Sequence, residues 1–135
     1  MSLLDEILQW AEEEKIQFKR EEEGILFPVN GDNGSWYARV SALEEEQMVF
    51  IVTAYPFHVA EGAREKTAVA LGQLTSQMKM GAFYIRVEDG QINFRISQKI
   101  STEANRDIWI REFILLAMNA TDSYFRKMMG FAAQE

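Results

Sequence analysis

A chain of 135 residues, 47% of them hydrophobic, has the size and composition of one folded domain and can bury a core with no metal or disulfide as a staple. It contains no cysteine, which removes thiol chemistry and fits a reducing compartment such as the cytoplasm. Its formal net charge of −7 repels phosphate backbones, and no apolar run nears the ~20 residues of a bilayer span, so neither nucleic acid nor membrane is expected as a partner.

The acidity is concentrated at the N-terminus. Residues 1–23 hold eight acids and three bases, a net −5, which leaves −2 for the rest. The same segment lacks the basic and continuous apolar regions of a secretory signal, so export is not expected. Glu12–Glu14, Glu21–Glu23 and Glu44–Glu46 read as solvated helix ends and loops. No linker or internal repeat divides the chain, and residues 1–135 read as a single domain.

Leu3, Leu4, Ile7, Leu8 and Ala11 recur at helical spacing behind Ser2, which with Asp5 forms a capping pattern, and predict a helix over 2–14. Ile25 to Val29 runs into the turn cluster Asn30-Gly31-Asp32-Asn33-Gly34, whose glycines are expected to supply positive φ angles. Trp36–Ala42 and Met48–Tyr55 predict two more strands, with Glu44–Glu46 turning between them and Pro56 ending the second. Met48, Phe50 and Val52 share one face of that strand and Val49, Ile51 and Thr53 the other, a pattern suited to a central strand or to one whose second face is covered by something else.

A second helix is predicted over 61–78, with Val69, Leu71, Leu74 and Met78 as its stripe and Gly81 as its closing residue. Asp89-Gly90 then predicts a two-residue hairpin turn. In that register Val87 faces Ile92, Ile85 faces Phe94 and Phe83 faces Ile96 on the buried side. Tyr84, Arg86, Asn93 and Arg95 fall on the opposite side and form the candidate partner-binding face. A last helix starts near Thr102 or Asn105, with Glu103 and Asp107 at the positive end of its dipole. Its stripe holds Ile108, Trp109, Phe113, Leu116, Ala117, Ala120, Tyr124 and Met128, widened by Ile110, Ile114, Met118 and Phe125. The order α-β-β-β-α-β-β-α places helices on one face of an antiparallel sheet of about five strands, an α+β fold.

Chemistry has little to stand on. The single histidine, His58, follows the strand-ending proline with nothing spaced to orient its ring, and Asp89 precedes a turn glycine and reads as a turn former. One histidine without cysteine does not make a zinc site, and Asn30–Gly34 lacks the later carboxylates of a calcium loop. No catalytic, metal or cofactor residue is assigned, and the chain reads as a non-enzyme. Of seven methionines, Met78, Met80, Met118, Met128 and Met129 lie at helix ends or stripes and read as core filling.

Gly81-Ala82-Phe83-Tyr84-Ile85 followed by Glu88-Asp89-Gly90-Gln91-Ile92-Asn93-Phe94-Arg95 resembles the YbjN-type family, described as sensory-transduction regulators. Gly31-Asp32-Asn33-Gly34-Ser35-Trp36 is similar to its "G-x-N-G-x-W" segment, and Asp122-Ser123-Tyr124 to its "D-x-Y". The likeness runs from about Glu23 to Met129, with Thr75 where members often carry an asparagine. It implies a fold like that of type III secretion chaperones, which form homodimers and hold unfolded client segments, and it carries no catalytic residues. The resulting expectation is a protein-interaction module, chaperone-like or regulatory, acting as a homodimer on a protein partner. The alternative is a sensor that binds an apolar small molecule between helices and sheet.

Overall fold

The computed structural model describes residues 1–100 and 104–133. Helix α1 (Leu3–Glu13) forms where the sequence predicts it. Ser2 Oγ accepts the Asp5 N–H at 3.0 Å, and the Asp5 carboxylate accepts the Ser2 N–H at 3.1 Å. Glu44 completes the cap from a distant turn, its two oxygens each 3.0 Å from the N–H groups of Leu3 and Leu4. That placement satisfies two orphan donors and puts a negative charge at the positive end of the helix dipole.

Six strands follow, one more than the sequence shows: β1 (Lys19–Arg20), β2 (Gly24–Asn30), β3 (Ser35–Leu43), β4 (Met48–His58), β5 (Ala82–Ile85) and β6 (Gln91–Lys99). The extra strand is two exposed residues paired with Ile25 and Leu26, too short for any alternation to register. The sheet is antiparallel throughout, in the order β1-β2-β3-β4-β6-β5. β4 is indeed internal, between β3 and β6. Pro56 does not end it. The strand continues to His58 past a bulge between Ala54 and His58, where a proline without an N–H is tolerated.

The β5–β6 hairpin differs from expectation by two residues. Ile85 faces Ile92 and Phe83 faces Phe94. The turn is a four-residue loop, 87–90, in which Gly90 N–H donates to the Arg86 carbonyl at 2.7 Å and Arg86 N–H to Gln91 O at 2.9 Å. The cause is tertiary. Arg64, far along the chain, donates to the carbonyls of Val59 (3.0 Å) and Val87 (3.2 Å), and Val59 N–H donates to Gly90 O at 2.9 Å. Gly90 has φ +77, and a Cβ there would lie 2.3 Å from the Val59 carbonyl oxygen, so only glycine fits. A shift of two preserves the pleat, so Phe83, Ile85, Ile92, Phe94 and Ile96 still share the core side, but Val87 is 64% exposed.

Gly31 and Gly34 also act differently from expectation, because the glycines with positive φ are Gly81 and Gly90. The pair serves close approach instead. A Cβ on Gly34 would sit 2.1 Å from the Phe125 ring, and one on Gly31 2.2 Å from an Asp122 oxygen. Asp122 holds this loop, accepting the N–H groups of Asn33 at 2.9 Å and Asp32 at 3.2 Å.

Helices α1, α3 (Arg106–Ser123) and α4 (Phe125–Ala132) cover one sheet face, with the core between them built on Ile25, Val40, Ile51, Phe94, Ile110 and Ile114. A buried polar ladder ties β4 to α3: Thr53 Oγ1 and Thr121 Oγ1 are 2.7 Å apart, and Tyr55 Oη donates to the Thr121 carbonyl at 2.7 Å. Burial pushes the Tyr55 phenol above its ordinary pKa, with the charge of Asp122 adding to the effect. The predicted last helix divides at Tyr124. α3 begins at Arg106 behind Asn105, which is in the left-handed region and makes no side-chain cap; Thr102 and Glu103 lie outside the described residues. The buried stripe holds Ile110, Phe113, Ile114, Ala117 and Thr121, whereas Ile108, Trp109 and Leu116 are among the exposed large hydrophobics. The true stripe is offset around the helix because both sides are apolar, and periodicity alone cannot choose between them. No described helix is long and apolar enough to cross a membrane.

A 3-10 turn (Glu61–Ala63) precedes α2 (Arg64–Ser76), which lies along the free edge of β5 and buries Thr67 and Leu71 while Val69 is 62% exposed. Gly81 has the expected positive φ but introduces β5 and does not close α2, whose C-cap is Gln77, four residues earlier. Thr75 Oγ1 accepts the Phe83 N–H at 2.9 Å and approaches the Phe83 carbonyl at 3.4 Å, so one hydroxyl satisfies an edge position of the strand. Thr75→Val should therefore cost about 1–2 kcal/mol by orphaning that N–H. Thr75→Asn, whose amide offers both a donor and an acceptor, should cost less in the same chemical denaturation series.

Candidate functional site

The sheet face turned away from α1, α3 and α4 has no helix packed across it among the described residues. Register alone lays out its rows. Leu26, Arg39, Val52, Arg95 and Ala82 align across β2, β3, β4, β6 and β5. Pro28, Tyr37, Ala54, Asn93 and Tyr84 form the next row, and Ser41, Phe50 and Ser97 the one on the other side. At about 4.8 Å per strand, a five-strand row spans roughly 19 Å.

Of the four residues singled out from the sequence, Tyr84, Asn93 and Arg95 lie on this side by register, and Arg86 follows the end of β5 in the hairpin. Tyr84 and Asn93 are direct cross-strand neighbours. Arg95 is exposed, with its guanidinium carbon 5.0 Å from the centre of the Phe50 ring. Arg86 is exposed at the end of the hairpin, 3.7 Å from the Asp89 carboxylate. Asn93 is buried, only 3% exposed, and its Oδ1 has no hydrogen-bond partner among the described residues.

Sequence reasoning missed Tyr37 and Arg39 on this face. Tyr37 is 58% exposed. Arg39 chelates Glu21 through Nε–Oε1 at 2.7 Å and Nη2–Oε2 at 2.9 Å, a bidentate pair between β3 and the segment joining β1 to β2. Hydrogen bonds from Arg39 hold the Glu21 carboxyl below the usual carboxylate range, and the Arg39 guanidinium is raised in turn. The period-2 alternation of Trp36–Ala42 was the available signal, since it puts Tyr37 and Arg39 opposite the buried Trp36, Ala38 and Val40.

His58 and Asp89 meet at the hairpin, where His58 Nδ1 is 3.1 Å from the Asp89 carbonyl oxygen. The Asp89 carboxylate turns back on its own loop, accepting the Gln91 N–H at 3.0 Å. That bond holds its carboxyl below the ordinary range, with Arg86 contributing. Asp5 is depressed likewise by Ser2. Each folded-state pKa lies below its unfolded value, so the stabilisation is complete above about pH 4 and is lost as the pH falls through the folded values. The thermal midpoint should thus drop in acid. Asp89→Asn should lower it at neutral pH and converge with wild type as the pH falls through the folded value of Asp89 in a calorimetric series.

On the helical side, a mainly apolar groove of about 500 Å³ opens between α1, β2 and α3, where Trp10, Ile16, Phe27, Val29, Leu115 and Met118 meet Glu14, Asn30 and Arg111. No group of three or more potential metal ligands occurs among the described residues.

Comparison with curated protein sequences gives no match. In fold, the chain is similar to the crystal structure of YbjN from E. coli (TM-score 0.72, 11% identity, covering 94% of this chain and 91% of that one). It is also similar to a chain of the ExsC–ExsE complex (TM-score 0.62, 10% identity, 93% and 96% covered). A third likeness is to the HopA1–SchA chaperone–effector complex (TM-score 0.54, 9% identity, 96% and 92% covered). The family model described as "Putative bacterial sensory transduction regulator" matches residues 3–128, which takes in α1, the whole sheet, α3 and the loop-locking Asp122. The chain therefore belongs to the YbjN family.

Proposed function

We propose that this chain is a non-enzymatic protein-interaction module, regulatory or chaperone-like, acting in the cytoplasm as a homodimer, with the uncovered sheet face as its partner-binding surface. The observation that supports this most is the face itself: strands β2 to β6 carry Tyr37, Phe50, Val52, Tyr84 and Arg95 on a side that α1, α3 and α4 leave open. Aromatic and arginine side chains on a firm scaffold are the groups that dominate protein interfaces. The relatives point the same way, since the family is described as regulators and two similar structures are complexes of one protein with another. Affinity capture from native lysate, with the tag at the N-terminus, tests the surface. Arg86→Ala and Arg95→Ala should lose a partner that wild type retains, at unchanged thermal midpoint, and equal recovery by all three proteins would remove the face from the reading. Light scattering at tens of micromolar tests the dimer, which a strictly monomeric species would exclude.

The groove between α1, β2 and α3 favours a second reading, an apolar small-molecule sensor. Its volume of about 500 Å³ and its apolar lining match ligand sites, and it lies between helices and sheet. Native mass spectrometry of the purified protein should then show a reproducible added mass, and a spectrum of bare chain alone counts against a ligand.

A further inference from the structure

We infer that the uncovered sheet face selects an acidic, extended protein segment, with Arg95 as its carboxylate anchor; this rests on the proposed role of that face. The six strands contain no aspartate or glutamate, although the chain carries a net charge of −7. The cations they hold on the uncovered side are Lys19, Arg39, Arg95 and Lys99, so this face is positive on an otherwise acidic molecule. It already binds one carboxylate, because Glu21 arches over it into the bidentate grip of Arg39.

Arg95 offers a second such grip, and it forms no ion pair among the described residues. Its stacking over Phe50 holds the guanidinium at the sheet surface and leaves its donors to a ligand. Beside it is a depression of about 340 Å³ lined by Lys79, Met80, Gly81, Ala82, Arg95 and Ser97, which adds a second cation and a half-exposed methionine at one receptacle. Further along β6, Lys99 lies four residues from Arg95 on the same side, about 13 Å away in strand geometry. An extended segment presents every second side chain to one side, so acids four positions apart match the two cations. Phe50, half-buried and paired with Ser97 midway between the two cations, would take the intervening residue that faces the sheet. Single charges at such a surface contribute modestly to affinity and strongly to selectivity, so discrimination by charge is the property to read.

The test is fluorescence anisotropy with a short labelled peptide repeating Glu-Ser-Val-Ser, which puts glutamate at every fourth position and valine midway on the same side of an extended chain, at about 0.15 M salt, where surface attraction is screened within ~8 Å. Three competitors complete it: the glutamine version, the lysine version and a single-stranded oligothymidine. Wild type should prefer the glutamate peptide at least about tenfold over each, and Arg95→Glu should lose most of that preference, with Arg95→Gln intermediate and both variants melting like wild type. Equal binding of the glutamate and glutamine peptides overturns the inference but leaves the face as a protein-binding surface. Stronger binding of the oligonucleotide, or no peptide binding at all, also overturns it. A wild-type dimer that Arg95→Glu turns into monomer, with no peptide bound, assigns the face to a second copy and overturns it as well.

Discussion

Phe94→Ala is expected to destabilise the protein by about 3–5 kcal/mol, the range for deleting a core phenylalanine, while Val87→Ala should stay within about 0.5 kcal/mol. Phe94 is 1% exposed in β6 and packs ring to ring on Phe83 at 5.0 Å, whereas Val87 is 64% exposed in the hairpin loop. The pair of measurements tests the register directly. Were the turn the two-residue type that Asp89-Gly90 suggests, Val87 would face Ile92 in the core and its truncation would be costly. Urea denaturation of both variants decides the matter, and comparable losses would return the hairpin to the tight turn.

The second large effect is expected at an ion pair between α1 and α3. Arg106 Nε is 3.3 Å from Glu6 Oε2, and both side chains are mostly buried, at 10% and 15% exposure. Arg106 also donates to Gln47 Oε1 at 3.0 Å, which joins the β3–β4 turn to the two helices. Removing one partner leaves the other charge buried without its counter-ion. Arg106→Met and Glu6→Met should therefore each cost about 3 kcal/mol, on the order of 10 °C in thermal midpoint. The double variant Glu6→Met with Arg106→Met should recover most of the loss, since apolar groups of similar volume fill the space without a desolvation cost. Additive losses in the double variant would show that packing, and not the uncompensated charge, is the source.

What was legible in the sequence is what local physics decides. The α1 cap needs only Ser2 and Asp5, and the central place of β4 follows from apolar residues on both its faces, so each was readable in place. The shared side of Tyr84, Asn93 and Arg95 was also readable, because a slip of two residues leaves the pleat unchanged. What escaped depends on residues distant in the chain. Arg64 sets the loop length at 87–90, Glu44 finishes the cap of α1, and Phe125 and Asp122 explain Gly31 and Gly34 better than any turn type does. The burial of Asn93 belongs to the same class, since nothing in an alternating strand marks one polar position as enclosed. Trp109 shows the converse limit, an aromatic residue on a helix with apolar side chains beyond its buried stripe, whose exposure follows from where α3 meets the sheet.

The role given to the uncovered sheet face is tested most directly by photo-crosslinking in living cells. A benzophenone amino acid placed at Tyr37, 58% exposed on that face, should yield a discrete protein adduct that Arg95→Glu abolishes. The same probe at Trp109, 53% exposed on the helical side, should yield none. Adducts from position 109 alone, or adducts from position 37 that persist in Arg95→Glu, would contradict the account.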